Sequence, residues 1–169
     1  MVTMNATLTD IRRVVGQVPD PEIPVLTVAD LGILRDVRLD AGGRIEVTIT
    51  PTYSGCPAIE TISRDIVQAC ARRGWHEVTV RTVLSPAWTT DWLTDDGKRK
   101  LREFGIAPPG RAARCGGPGP GPVPVPLSVR CPRCGSADTR EASRFGSTAC
   151  KALYTCNSCL EPFDYFKAL

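Results

Sequence analysis

Two C-x-x-C pairs, Cys131-Pro132-Arg133-Cys134 and Cys156-Asn157-Ser158-Cys159, stand 21 residues apart in the last quarter of the chain. Each pair can set two thiolates on one ion at ~2.3 Å, and four sulfurs complete tetrahedral zinc. The separation is a residue longer than the usual window for such sites. The intervening segment is hairpin-like, with Thr139 to Phe145 and Lys151 to Thr155 flanking Gly146. A module of about forty residues buries too little surface to fold unaided, and zinc binding, worth ~10–16 kcal/mol in such peptides, supplies the difference. The pattern predicts a structural zinc ribbon over residues 129–169, with a four-cysteine iron–sulfur cluster as the rival occupant. Cys150 is a fifth thiol for which tetrahedral zinc has no place; it reads as a hairpin core residue, a reactive thiol or an alternative ligand.

Ahead of the ribbon, Cys115 to Pro126 holds five prolines and four glycines with no periodic apolar set. Such a stretch reads as an extended linker. It divides the 169 residues into a domain over 1–106, a linker over 107–128 and the ribbon. Cys115 is incidental to the linker. The net charge of +3 is mild and no Lys/Arg block forms a nucleic-acid stripe. No run of 18 or more apolar residues occurs, so a soluble, cytoplasmic protein without membrane contact is expected. In a reducing compartment, eight cysteines read as metal ligands or reactive thiols before disulfides.

Within residues 1–106, Thr7 and Asp10 predict a helix start, with Leu8, Ile11, Val14 and Val15 as its apolar face. The residue before Pro19 is biased away from helix, so the element ends near Val18. Asp20-Pro21-Glu22-Ile23-Pro24 then places two carboxylates in a proline-stiffened loop, either connector or functional. Ile33 to Asp40 and Arg44 to Thr50 alternate as strands around an Asp40-Ala41-Gly42-Gly43 turn. A helix from about Ala58 to Arg73 is expected to stop at Gly74, and a third strand to run from Glu77 to Leu84. Strand, helix, strand implies a right-handed crossover and parallel pairing. The expected fold class is α+β, a small mixed three-stranded sheet with packed helices, plus the C-terminal zinc-ribbon hairpin. Trp88 and Trp92 sit in a polar loop, where they either cover a core edge or offer a partner surface. Asp95 and Asp96 open a last helix whose basic run reads as a solvated face.

The passage Thr50-Pro51-Thr52-Tyr53-Ser54-Gly55-Cys56-Pro57 carries the functional candidate. Pro57 suits the first helical position, which puts Cys56 at or next to the N-cap. Unpaired N–H groups and the helix dipole there can lower a thiol pKa into roughly the 3.5–7.5 range. Cys56 is therefore either a reactive thiol or a small residue in a tight turn. His76 reads as an exposed junction residue and Cys70 as core.

Taken together, Asp20-Pro21-Glu22, Val28-Ala29-Asp30-Leu31-Gly32, Tyr53-Ser54-Gly55-Cys56-Pro57 and Trp88-Thr89-Thr90-Asp91 resemble the SufT-like domain of iron–sulfur protein maturation, over about residues 7–105. With the ribbon, Phe145 to Tyr154 and Glu161-Pro162-Phe163-Asp164-Tyr165-Phe166, the chain resembles the PaaD (PaaJ) family of accessory subunits to bacterial phenylacetyl-CoA epoxidase. That resemblance implies a part in aerobic phenylacetate degradation, as a maturation factor for a complex with a di-iron centre and an iron–sulfur reductase. By motif it maps the reactive or cluster-binding cysteine to Cys56 and the acidic loop to Asp20 and Glu22, with Cys150 as a secondary candidate. Structural zinc is expected on Cys131, Cys134, Cys156 and Cys159 from their spacing, and at Cys56 the resemblance leaves two roles open, holding a transient iron–sulfur cluster or only contacting a client protein. The implied partners are epoxidase subunits or other iron–sulfur clients, or a second protomer in a homodimer, since one thiolate cannot fill the positions a cluster needs.

The residues agree with an accessory role. No Glu-x-x-His pair of the di-iron kind and no nucleotide fingerprint occurs, and no catalytic activity of the chain's own is expected. Two other classes compete. A zinc-ribbon scaffold or nucleic-acid-binding protein is one, and nucleic-acid binding is disfavoured by the few cations on the ribbon. A thiol oxidoreductase would place C-x-x-C beside a strand at a helix start, whereas here the pairs match each other as metal knuckles.

Overall fold

A computed structural model describes residues 7–110 and 129–167. The chain divides into two compact units after Lys100. The expected linker, apart from its first few residues, and Cys115 lie outside the described residues.

In the first unit Thr7 caps α1 (Leu8–Gly16), its hydroxyl oxygen accepting from the Asp10 N–H at 3.1 Å. Ile11 and Val15 are buried, but Leu8, expected on the same face, is 48% exposed in the first turn. The proline-rich segment that follows is no loose connector. Pro19 bridges to Thr27, Asp20 N–H donates to Leu26 O, and Ile23 and Leu26 are buried.

Strands β1 (Leu34–Leu39) and β2 (Ile45–Ile49) pair antiparallel around the predicted turn, where Gly43 takes φ 83. Asp40 Oδ1 accepts from the Gly42 and Arg44 N–H groups and shapes that turn. Helix α2 (Ala58–Ala71) buries Ile62, Ile66 and Cys70, and its end reaches Gly74 at φ 80. Strand β3 (Val78–Thr82) then pairs parallel with β2, giving the order β1-β2-β3 and the expected mixed sheet. Ile45, Val47 and Ile49 are 2%, 0% and 0% exposed, so β2 is the buried centre. As an edge strand β3 is largely exposed, and Leu84, expected to end it, lies beyond it at 56% exposure.

Helix α3 (Asp95–Glu103) begins at Thr94, whose hydroxyl oxygen accepts from the Gly97 N–H at 3.0 Å. Its basic run is not simply solvated. Lys100 Nζ lies 2.8 Å from Asp30 and 3.2 Å from Asp96. Burial pushes the Asp30 pKa up, but Lys100 and the N–H and hydroxyl of Thr27 outweigh it, and the carboxyl ends below its ordinary value. Gly97 keeps this contact close, because a Cβ there would stand 3.0 Å from Asp30 O.

The second unit is a four-stranded sheet, ordered β4-β7-β6-β5, larger than the expected hairpin. Strands β5 (Thr139–Ser143) and β6 (Lys151–Cys156) form that hairpin. Glu161 to Phe166, read beforehand only as a motif, supplies β7 (Pro162–Phe166), antiparallel to β6. Strand β4 (Ile106–Ala107) pairs parallel with β7, so Ala107, where the linker was expected to begin, is a sheet residue at 1% exposure. Two residues carry too short a pattern to be read as a strand. Phe163, Val129, Ala107, Cys131 and Cys156 make the core, with Tyr154 and Tyr165 edge-on at 5.4 Å.

Replacing Lys100 by Met leaves the Asp30 carboxylate without its ion-pair partner. We expect a loss of about 1–3 kcal/mol in stability at neutral pH. The lowered Asp30 pKa contributes stability that is full above its ordinary value near 3.8 and is lost as pH falls through the lower folded value. Acid-induced unfolding, followed by circular dichroism, should therefore begin at higher pH in Lys100→Met than in the parent.

Candidate functional site

The β2–α2 connection presents Cys56. Thr50 N–H donates to Ile33 O at the end of β2, and Cys56 N–H donates to Tyr53 O at 3.2 Å, closing a tight turn. Pro57 occupies the N-cap position itself, which leaves Cys56 half-buried one residue before the cap. The thiol is not acidified as the helix position suggested. Burial pushes its pKa up; the Ala58 N–H and the Tyr53 side chain pull down; the charges of Glu22 and Asp20 push up again, and the net shift is upward. At neutral pH Cys56 is thus a protonated thiol facing two carboxylates.

Those carboxylates are held by their own loop. Asp20 is 8% exposed, and its Oδ1 accepts from the Glu22 and Ile23 N–H groups at 2.8 and 2.7 Å. Asp20 therefore shapes the loop that presents the half-buried Glu22. The three side chains felt at Cys56 come from two loops more than thirty residues apart in sequence. A soft sulfur beside negative charge accepts cations well and is a poor neutral-pH nucleophile.

The tryptophan loop serves the core edge. Trp88 is 4% exposed and its Nε1–H donates to Leu31 O at 2.8 Å. Gly32, at φ 67, has no room for a side chain, since a Cβ would fall 2.2 Å from Trp92 O. Trp92 carries the Arg35 guanidinium 3.6 Å over its ring. The Asp30-Leu31-Gly32 and Trp88–Asp91 motifs are thus one packing unit.

In the ribbon the four predicted cysteines come together, with all four sulfurs within 4.8 Å of one another. Cys131 and Cys159 Sγ are 3.8 Å apart and Cys134 and Cys156 Sγ 3.5 Å. A tetrahedral ion ~2.3 Å from each sulfur sets sulfur–sulfur separations near ~3.8 Å, so the donor set fits a single metal ion. The thiols cannot all ionise without a cation. N–H donation from Cys159 and Ser158 draws Cys156 down to about 6. Although the Glu161 N–H pulls Cys159 down, burial and the neighbouring thiols drive it up to about 12. Gly135 at φ 76 and Leu160 at φ 64 turn the chain after each knuckle. Cys150 stands outside the cluster, 4% exposed, 3.0 Å from the Thr148 hydroxyl, as a core residue of the hairpin.

The PaaD zinc beta ribbon domain matches residues 122–167 and an iron–sulfur cluster assembly protein domain matches residues 8–82. Across 95% of this chain and 92% of its own length, a protein of Escherichia coli K12 that bears the name of a 1,2-phenylacetyl-CoA epoxidase component is 50% identical. The chain belongs to the PaaD family. Like its first unit, a protein of Porphyromonas gingivalis named as an Fe-S protein maturation auxiliary factor is 34% identical over 54% of this chain and 88% of that one. A DUF59 domain of Bacillus anthracis superposes with a TM-score of 0.52 at 25% identity, covering 55% of this chain and 89% of its own. The PaaD chain thus joins a fold shared with iron–sulfur maturation factors to a ribbon with a four-cysteine metal-binding site. Among its described residues no helix is long and apolar enough to cross a membrane.

One partner of Cys56 escaped the sequence reading: Tyr53 stands three residues before it, a turn spacing that could have been noticed, whereas the Ala58 N–H is one of the helix-terminal N–H groups expected there. His76, as read, is exposed, and Cys70 is buried.

Two measurements test this geometry. Alkylation of Cys56 by iodoacetamide, read by mass spectrometry of its peptide, should be slow at pH 7 and rise only above the ordinary thiol pKa of 9.0. Glu22→Gln removes a charge that raises the pKa, so its profile should move to lower pH. Separately, strong chelation should release one metal ion per chain and expose residues 129–167 to protease while residues 7–100 stay protected. Cys131→Ser should give the same digestion pattern without chelator.

Proposed function

We propose that the chain is an accessory component of a phenylacetyl-CoA epoxidase, acting in the cytoplasm to help assemble an iron–sulfur or di-iron centre through Cys56. The observation that carries this reading is the half-buried Cys56 in the β2–α2 turn, within reach of the charges of Glu22 and Asp20. Burial first, and then the charges of Glu22 and Asp20, disfavour the bare thiolate, and a cationic iron centre bound to the sulfur offsets both. Binding iron and losing the proton are therefore coupled, and cargo is held more weakly as pH falls. One thiolate leaves the other positions of a cluster to a client protein or a second protomer, so the cargo is shared with its recipient. The names of the Escherichia coli and Porphyromonas gingivalis relatives support both halves of the proposal.

Zinc is the proposed ribbon ion. An iron–sulfur cluster distributes its four thiolates over two or four irons and spreads the sulfurs, whereas separations of 3.5 and 3.8 Å suit four thiolates on one centre. When bound, that ion supplies folding energy and no chemistry.

The test is growth on phenylacetate of a deletion strain carrying each variant, with the iron content of the co-expressed epoxidase. Cys56→Ser should cost about 1 kcal/mol or less in stability, since the half-buried sulfur is exchanged for a near isostere. Growth should nevertheless fail and the epoxidase should be iron-poor. Normal growth with fully metallated epoxidase would make Cys56 a turn residue only and leave a scaffold role to the ribbon.

A further inference from the structure

A groove of about 500 Å³ runs between the C-terminal halves of α1 and α2, away from the Cys56 end of α2. One wall carries Arg13 and Gln17, one turn apart on α1. The other carries Asp65, Gln68, Ala69 and Arg72, the i, i+3, i+4, i+7 face of α2, with Arg73 beyond. Val14, Val18 and Ala69 make an apolar floor. Arg13 is paired with Asp10 at 3.0 Å. Among the described residues the exposed guanidiniums of Arg72 and Arg73 have no hydrogen-bond or ion-pair partner. With Arg13 matched by Asp10, Arg72 and Arg73 against Asp65 leave the groove net cationic, and the α2 wall from Asp65 to Arg72 extends about 10 Å at ~1.5 Å per residue.

We infer that this groove is a docking site for an acidic amphipathic segment of a protein partner. Charge complementarity gives the sign of the occupant, and the apolar floor between charged rims gives its amphipathic character. A phosphate-bearing small molecule fits less well. The groove lies at the carbonyl ends of both helices, so any anion there depends on the guanidiniums alone, with neither free N–H groups nor a positive dipole end to gather a compact dianion. Guanidiniums on long stems instead suit carboxylates spaced along a peptide. Pro19 borders the groove and precedes Asp20, so a docked segment lies beside the loop that presents Glu22. The inference goes beyond the proposed function and stands whether or not Cys56 handles iron.

The probe is a synthetic helical peptide of about three turns, roughly 11 residues, with Glu on one face and Leu on the other. Its Glu→Gln counterpart and inorganic phosphate are the comparisons. Binding to the full chain is followed by amide chemical shifts and fluorescence anisotropy. The acidic peptide should perturb Gln17, Gln68, Arg72 and Arg73, and should weaken steeply as salt rises from about 0.05 to about 0.5 M. The double variant Arg72→Gln, Arg73→Gln should bind roughly tenfold or more weakly. That variant should melt as the parent does, because both side chains are exposed and unpaired. Perturbations elsewhere on the chain, equal binding by the Gln peptide or by the double variant, no binding at millimolar peptide, or preferential binding of phosphate would each overturn the proposal.

Discussion

The parallel pairing of β2 with β3 sets where α2 begins and hence where Cys56 stands. Residues Ile45, Val47 and Ile49 bury one face of β2, and register runs from Ile45 opposite Val78 to Ile49 opposite Thr82. To make two neighbouring strands parallel, the chain must return to the starting edge, and α2 is the return. Its apolar face, Ile62, Ile66 and Cys70, covers the sheet, so the helix cannot rotate without exposing them. The turn from Thr50 to Pro57 opens this crossover, and Cys56 occupies its last residue before the cap.

That arrangement also explains why the thiol behaves differently from a cysteine at an open helix terminus. A helix N-terminus lowers a pKa when the sulfur faces free N–H groups in a solvated setting. Here burial and the acidic loop act against the Ala58 N–H and the Tyr53 side chain, and they prevail. The acidic loop reaches this place because residues 19–27 fold back through the Pro19–Thr27 bridge and the Asp20–Leu26 hydrogen bond. Local sequence can announce the cap; it cannot announce which distant charges meet it.

The same distinction separates what was legible in the sequence from what was not. Period-2 and period-3.6 patterns at Ile45–Ile49 and Ile62–Cys70 located β2 and α2, and the spacing of Cys131, Cys134, Cys156 and Cys159 located the metal-binding cluster. Glycines at 43, 74, 105 and 135 mark real left-handed turns. What stayed hidden was tertiary: Lys100 reaching back seventy residues to Asp30, Gly32 flattened beneath Trp92, and the pairing of Ile106–Ala107 with β7. The basic run in α3 looked like solvated surface because nothing within a helical turn calls for Asp30.

The two cysteine sites obey opposite logic. In the ribbon four sulfurs converge and close every position of a tetrahedral ion; such a site retains its metal and contributes folding energy. At Cys56 one sulfur shares its surroundings with two hard carboxylates and carries its proton until a cation replaces it. A centre bound there by this chain alone is under-coordinated, so its affinity rises only when another protein supplies further ligands. If Cys56 carries metal as proposed, retention in the second unit and release from the first follow from ligand number and softness. On the proposed reading, one PaaD chain holds a structural ion permanently and passes a cargo on.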